Sequence, residues 1–150
     1  MSSNYPVQSV LPFLNCTKTV SGTFTFSLVS LAATGTTNRA EVDVDSMEQA
    51  IFHIRYVTGS GETNNTCDVK VEFSPDGTNY FQEATEAVST STITEYQATR
   101  TFTGAAANTT YNYRIAIPVA DAKKIRLTFT EGGVGSDFGE VGALVVLSGK

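Results

Sequence analysis

Ile51-Phe52-His53-Ile54-Arg55-Tyr56-Val57 decides the fold class. Phe52, Ile54 and Tyr56 fall on one side of an extended chain and His53 and Arg55 on the other. Such a period of two belongs to a strand with one buried and one wetter face. The pattern recurs on both sides of this stretch. Phe24, Phe26 and Leu28 alternate with threonine and serine, and Val42 and Val44 alternate with Glu41, Asp43 and Asp45. Further on, Val69, Val71 and Phe73 alternate with Lys70 and Glu72. Tyr111, Tyr113, Ile115 and Ile117 form another set, closed by Pro118, and Ile125, Leu127 and Phe129 follow. Val141 to Ser148 is almost continuously apolar, as a strand in a central position would be.

Turn chemistry separates these runs. In Ser74-Pro75-Asp76-Gly77, proline presets φ at the first corner and glycine can adopt the positive φ that closes a hairpin. Thr92 to Thr103 is polar and reads as extended, and no stretch carries a helix of three turns. About eight strands at this spacing predict an all-β, antiparallel β-sandwich of jelly-roll type. The expected division is an extended N-terminal arm over residues 1–20 and a single sandwich domain over 21–150. Pro6 and Pro12 interrupt the arm, which carries Tyr5, Val7, Val10, Leu11, Phe13 and Leu14. Apolar side chains in an irregular segment need cover, either from their own domain or from a neighbouring subunit. They are the candidate partner-binding residues, with Phe13 and Leu14 as anchors.

The 150 residues suffice for one domain with a sizeable core. The net charge of −5 argues against a general phosphate-binding surface, and no nucleic-acid partner is expected. Only 17% of the residues are charged, so threonine, serine, asparagine and glutamine must supply much of the polar surface. No run approaches the roughly 20 apolar residues that span a bilayer, and the first residues lack the pattern of a secretory signal. The expectation is therefore synthesis in a cytoplasm and no membrane partner. Cys16 and Cys67 then read as separate reduced thiols rather than a disulfide.

Little here suggests catalysis. His53 is the sole histidine, which excludes a multi-histidine zinc site. It reads as a polar residue on a sheet face beside Arg55. Nothing around either cysteine would activate it as a nucleophile. Glu41, Asp43 and Asp45 share one strand face and repel one another unless compensated. Their expected setting is a solvated edge strand, a basic partner, or calcium, which takes six to eight oxygens. Gly132-Gly133-Val134-Gly135-Ser136-Asp137 matches the opening of a calcium-binding nonapeptide, but one copy cannot build the stacked turns that share each ion. It reads as a glycine-rich loop. No cofactor and no metal are expected.

Val69-Lys70-Val71-Glu72-Phe73-Ser74-Pro75-Asp76-Gly77-Thr78-Asn79-Tyr80 resembles a hairpin found in small virion β-sandwich proteins, including the head decoration (cement) proteins of tailed bacteriophages. Ala122 to Leu127 and the glycine-rich loop before the last strand continue the likeness. The hairpin is also similar to one in carbohydrate-binding sandwiches, where tryptophan often stands at the position of Tyr80. The resemblance implies a non-enzymatic structural protein, made in a host cytoplasm and located in the virion. It would bind the major capsid protein or other virion subunits, often as a trimer. The alternatives are a carbohydrate- or cell-surface-binding module of a tail or fibre, or a filament subunit that donates its N-terminal strand.

Overall fold

Alternation becomes register in the computed structural model, which describes residues 7–31, 38–61, 65–132 and 137–149. Its fourteen strands are β1 (Val7–Leu14), β2 (Cys16–Lys18), β3 (Phe24–Phe26), β4 (Val29–Ser30), β5 (Arg39–Asp43), β6 (Gln49–Val57) and β7 (Asn65–Ser74), followed by β8 (Phe81–Gln82), β9 (Ala84–Ser89), β10 (Thr92–Gln97), β11 (Arg100–Gly104), β12 (Thr110–Pro118), β13 (Lys124–Gly132) and β14 (Glu140–Gly149). The described residues contain no helix.

Eight of these strands build two antiparallel sheets. The first has the order β1-β14-β6-β12 and the second β11-β7-β13-β5. Successive long strands pass between the sheets in the double Greek-key manner of a jelly roll. The fold class expected from the sequence is thus correct. The expected strand number was low: β1 is broken by Pro12, β2 and β4 are too short to show a period, β9 lacks an alternating apolar set, and the extended stretch at 92–103 divides into β10 and β11.

The facing sides of the two sheets make the core. Phe52, Ile54, Tyr56, Val141, Val145 and Ile117 look inward from the first sheet, and Val69, Val71, Ile125, Leu127 and Phe129 answer from the second. Burying a side chain such as Phe52 contributes about 2–3 kcal/mol. At one open side of the sandwich, the Phe102 ring from β11 stacks on Tyr113 of β12 at 4.4 Å. The Tyr113 hydroxyl donates to the Thr103 carbonyl at 2.6 Å. These contacts tie the edges of the two sheets together. The Ser74–Gly77 turn forms as its residues predict, with Gly77 at φ 85°. The Asp76 carboxylate accepts the backbone N–H groups of Thr78 and Asn79 at 2.8 and 2.7 Å.

Residues 1–6 of the extended arm expected over 1–20 lie outside the described residues, and the rest is tied into the fold. Residues 7–14 form β1, an edge strand bonded along β14 from Val7↔Gly149 to Leu14↔Ala143. Pro12 is tolerated because an edge strand has a free side and the register slips by a bulge between Pro12 and Leu14. Leu14 is 6% exposed within the core, and the Phe13 ring meets Phe52 edge-to-face at 4.9 Å. The predicted anchors therefore pack on their own domain.

Candidate functional site

The outer faces of the two sheets are built by the same alternation, and they differ. On the second sheet, the outward residues form a ladder of opposite charges. Glu41 of β5, Arg126 of β13 and Glu72 of β7 stand side by side in register. Arg126 donates from Nε and Nη2 to the two Glu72 oxygens at 3.2 and 3.0 Å, a forked pair. Its guanidinium lies 3.7 Å from the centre of the Tyr80 ring. The Tyr80 hydroxyl donates to Glu41, and Lys124 approaches the other Glu41 oxygen at 3.4 Å. Lys70 adds a further contact to Glu72 at 3.7 Å. Burial by itself pushes the Glu72 carboxyl up, but the Arg126 hydrogen bonds and the charges of Arg126 and Lys70 outweigh it and hold the group below its usual range. The Tyr80 hydrogen bond, followed by Lys124, does the same for Glu41.

This ladder accounts for part of the predicted acidic face. Glu41 and Asp43 lie on β5, the edge of the second sheet, and Asp43 is level with Lys124. Asp45 falls beyond the strand end. Compensation for Glu41 comes from within the chain, and the described residues hold no cluster suited to a metal ion.

The outer face of the first sheet is organised differently. Val10 of β1, Val146 of β14, Ile51 of β6 and Ala116 of β12 form one row across four strands. Pro12, Leu144, His53 and Arg114 form the next row, and Gly142, Arg55 and Asn112 the one beyond. An antiparallel sheet with one wet face normally presents polar side chains there. Here an apolar row remains at the surface, with Val10 39% exposed, and it is bordered by a basic one. Arg55 donates from Nε to Asn112 at 3.1 Å and carries the Phe26 ring at 4.5 Å. Gly142 allows a close approach at this point: a Cβ would lie 2.8 Å from the Leu28 side chain and 2.9 Å from that of Phe26, and both would have to shift. Its bare backbone lets the β2–β3 flap settle beside the basic row. Phe26, His53, Arg55, Asn112, Arg114 and Leu144 surround a shallow depression of about 320 Å³.

Of the predicted partner-binding residues, only part reaches this face. Val10 belongs to the apolar row, Leu11 is exposed, and Phe13 and Leu14 point into the core. Tyr5 lies outside the described residues, as does the side chain of Val7. Most of the glycine-rich loop, at 133–136, is also outside them. Cys16 and Cys67 are free thiols. Burial raises both, and for Cys16 the nearby Arg55 works in the opposite direction.

A second exposed feature escaped sequence reading. Among the described residues, β9 and β10 pair only with each other, and every residue of both strands is exposed. Neither strand has an apolar face long enough to show a period of two.

No protein-family model and no curated protein matches the sequence. Solved structures give distant likenesses. One, described as the structure of infectious bursal disease virus Gx strain, shares 12% identity at a TM-score of 0.48 and covers 99% of this chain and 33% of that chain. The chain thus spans about a third of the length of that viral protein. Another is a carbohydrate-binding module specific for non-crystalline cellulose, CBM28, at 15% identity and a TM-score of 0.41, covering 87% of this chain and 75% of that one.

Proposed function

We propose that this is a non-enzymatic virion structural protein that binds and stabilises an assembled capsid, as decoration proteins of bacteriophage heads do. The row Val10–Val146–Ile51–Ala116 carries this reading. An apolar row on a flat sheet face suits a broad protein surface rather than a small substrate. The other outer face, with its charges already paired, is suited to water. A subunit that binds only the assembled shell stabilises that shell by mass action. The protein acts as a homo-oligomer, with a trimer favoured. Its location is the virion, and its partners are the major capsid protein or other virion subunits.

Quantitative mass spectrometry of particles purified from the source tests this. Copies of the chain comparable in number to the major capsid protein are expected. Absence from the particles overturns the reading. A few copies per particle would instead favour a tail or fibre module that binds carbohydrate. Phe81, which is 61% exposed in an apolar depression with Pro75 and Pro118, supports that second reading as a stacking platform. Tyr80 cannot serve in this way, since Arg126 covers its ring.

A further inference from the structure

Among the described residues, the β9–β10 hairpin has no face to pack on. Its strands run in register from Ala84↔Gln97 to Ser89↔Thr92. Six extended residues reach about 20 Å. A two-stranded ribbon alone in water is marginally stable at best, because it buries too little. The base is well held: Glu83 pairs with Arg100 at 2.9 Å, and Gln82 donates to the Ala98 carbonyl at 2.9 Å. The rest of the ribbon lacks such support.

One face of the ribbon combines two unusual pairs. Val88 stands opposite Ile93, and both are more than 60% exposed. Two residues nearer the base, Glu86 stands opposite Glu95. Like charges placed directly across an antiparallel pair destabilise it. No lysine or arginine occurs between Glu83 and Thr99 to relieve them. This face calls for a surface that is apolar at one position and basic two residues further along.

The same chain presents apolar and basic groups side by side on its first sheet. In the depression described above, Leu144 and Phe26 provide apolar cover, and His53, Arg55 and Arg114 provide the basic side. No carboxylate among the described residues lines it. Arg114 has no ion-pair partner among the described residues. Leu144 stands in one row with His53 and Arg114, and the Phe26 ring lies against Arg55, so each arginine has an apolar neighbour.

We infer that the hairpin of one copy docks into the depression of a second copy, with Val88 and Ile93 against Leu144 and Phe26, and Glu86 and Glu95 against Arg55 and Arg114. The contact is head-to-tail, since the two surfaces differ. Such contacts close into rings when the rotation allows and run on as filaments when it does not. The apolar row through Val10 and Ala116 stays outside the contact and remains free for another partner. The inference does not depend on capsid binding.

Charge exchange tests it in the free protein. Sedimentation velocity of the unaltered chain is expected to show concentration-dependent oligomers. Glu86→Arg/Glu95→Arg and, separately, Arg55→Glu/Arg114→Glu should each weaken association by roughly 100-fold, through like charges brought together. An equimolar mixture of the two variants restores opposite charges wherever unlike copies meet and should recover association, as open chains or even-numbered rings. That recovery distinguishes a lost interface from a damaged fold. A chain monomeric at all concentrations overturns the inference. So do variants that still associate normally, or monomeric variants that fail to recover on mixing.

Discussion

The outer faces of the two sheets carry opposite solutions to one problem. Each must give its outward residues something to do. The second sheet gives them one another: Glu41, Arg126, Glu72 and Lys70 pair across neighbouring strands, under the cover of Tyr80. The first sheet leaves Val10, Val146, Ile51 and Ala116 in an apolar row beside basic residues that lack carboxylate partners in the depression they line. Both faces come from comparable alternation, so period alone does not separate a face made for water from one made for a partner. The separation lies in whether the outward groups satisfy each other.

Lysines in the apolar row should have the largest effect. Ile51→Lys/Val146→Lys is expected to remove about 4 kcal/mol of shell binding, since two apolar anchors near the centre of an interface can contribute about 2 kcal/mol each. Co-sedimentation with purified shells checks this, and Thr128→Lys on the other face should bind normally. Equal loss from both variants would erase the distinction between the faces. Next comes Arg126→Ala, which strips the partner from a Glu72 carboxylate only 9% exposed. It should cost about 2–3 kcal/mol in urea unfolding, whereas Arg114→Ala on the first sheet should stay within about 0.5 kcal/mol.

Acid should discriminate more gently. Glu41 and Glu72 are held below their unfolded values, so their contribution is complete above the ordinary carboxylate range and disappears as pH falls through the folded values. Unfolding measured from about pH 6 to pH 2 should show stability declining below about pH 5. Glu72→Gln should flatten that decline. The smallest effect concerns thiol labelling. Cys16 is half-buried near Arg55, and Cys67 is fully buried. A thiol reagent should label Cys16 in the native protein and Cys67 only after unfolding. A partner seated on the first sheet should slow Cys16 by about threefold, as access falls.

Much of the fold was legible because burial has a period. Phe52, Ile54 and Tyr56 point inward as their spacing demands, and β14 occupies the central position that its apolar run suggests. The run is apolar for two reasons. Val145 faces the core, and Val146 belongs to the outer row. The first strand was missed because Pro12 breaks its pattern, and a proline on an edge strand leaves no other mark in the sequence. The candidate site was less legible. The row Val10–Val146–Ile51–Ala116 draws one residue from each of four strands, and only register brings them together. His53 and Arg55 were correctly placed side by side on a sheet face, but Arg114 and Phe26 join them from distant parts of the chain. The opposition of Glu86 and Glu95 likewise depends on a turn at Thr90 and Ser91, residues that carry no strong turn signature.

The pairing of Val7 with Gly149 also imposes an order in time. On the ribosome β1 emerges before the other described strands, yet β14, to which it bonds, emerges after them. β6 can pair with β12 before then, but it joins β1 only through β14, which lies between the two. The second sheet can assemble first from β5, β7, β11 and β13, but the first sheet stays divided until β14 arrives. Long-range pairing of this kind is slow, because the loop must close before any contact repays it. The apolar row therefore comes into existence only at the final step of folding. A chain that has not yet paired β14 has no such face to offer.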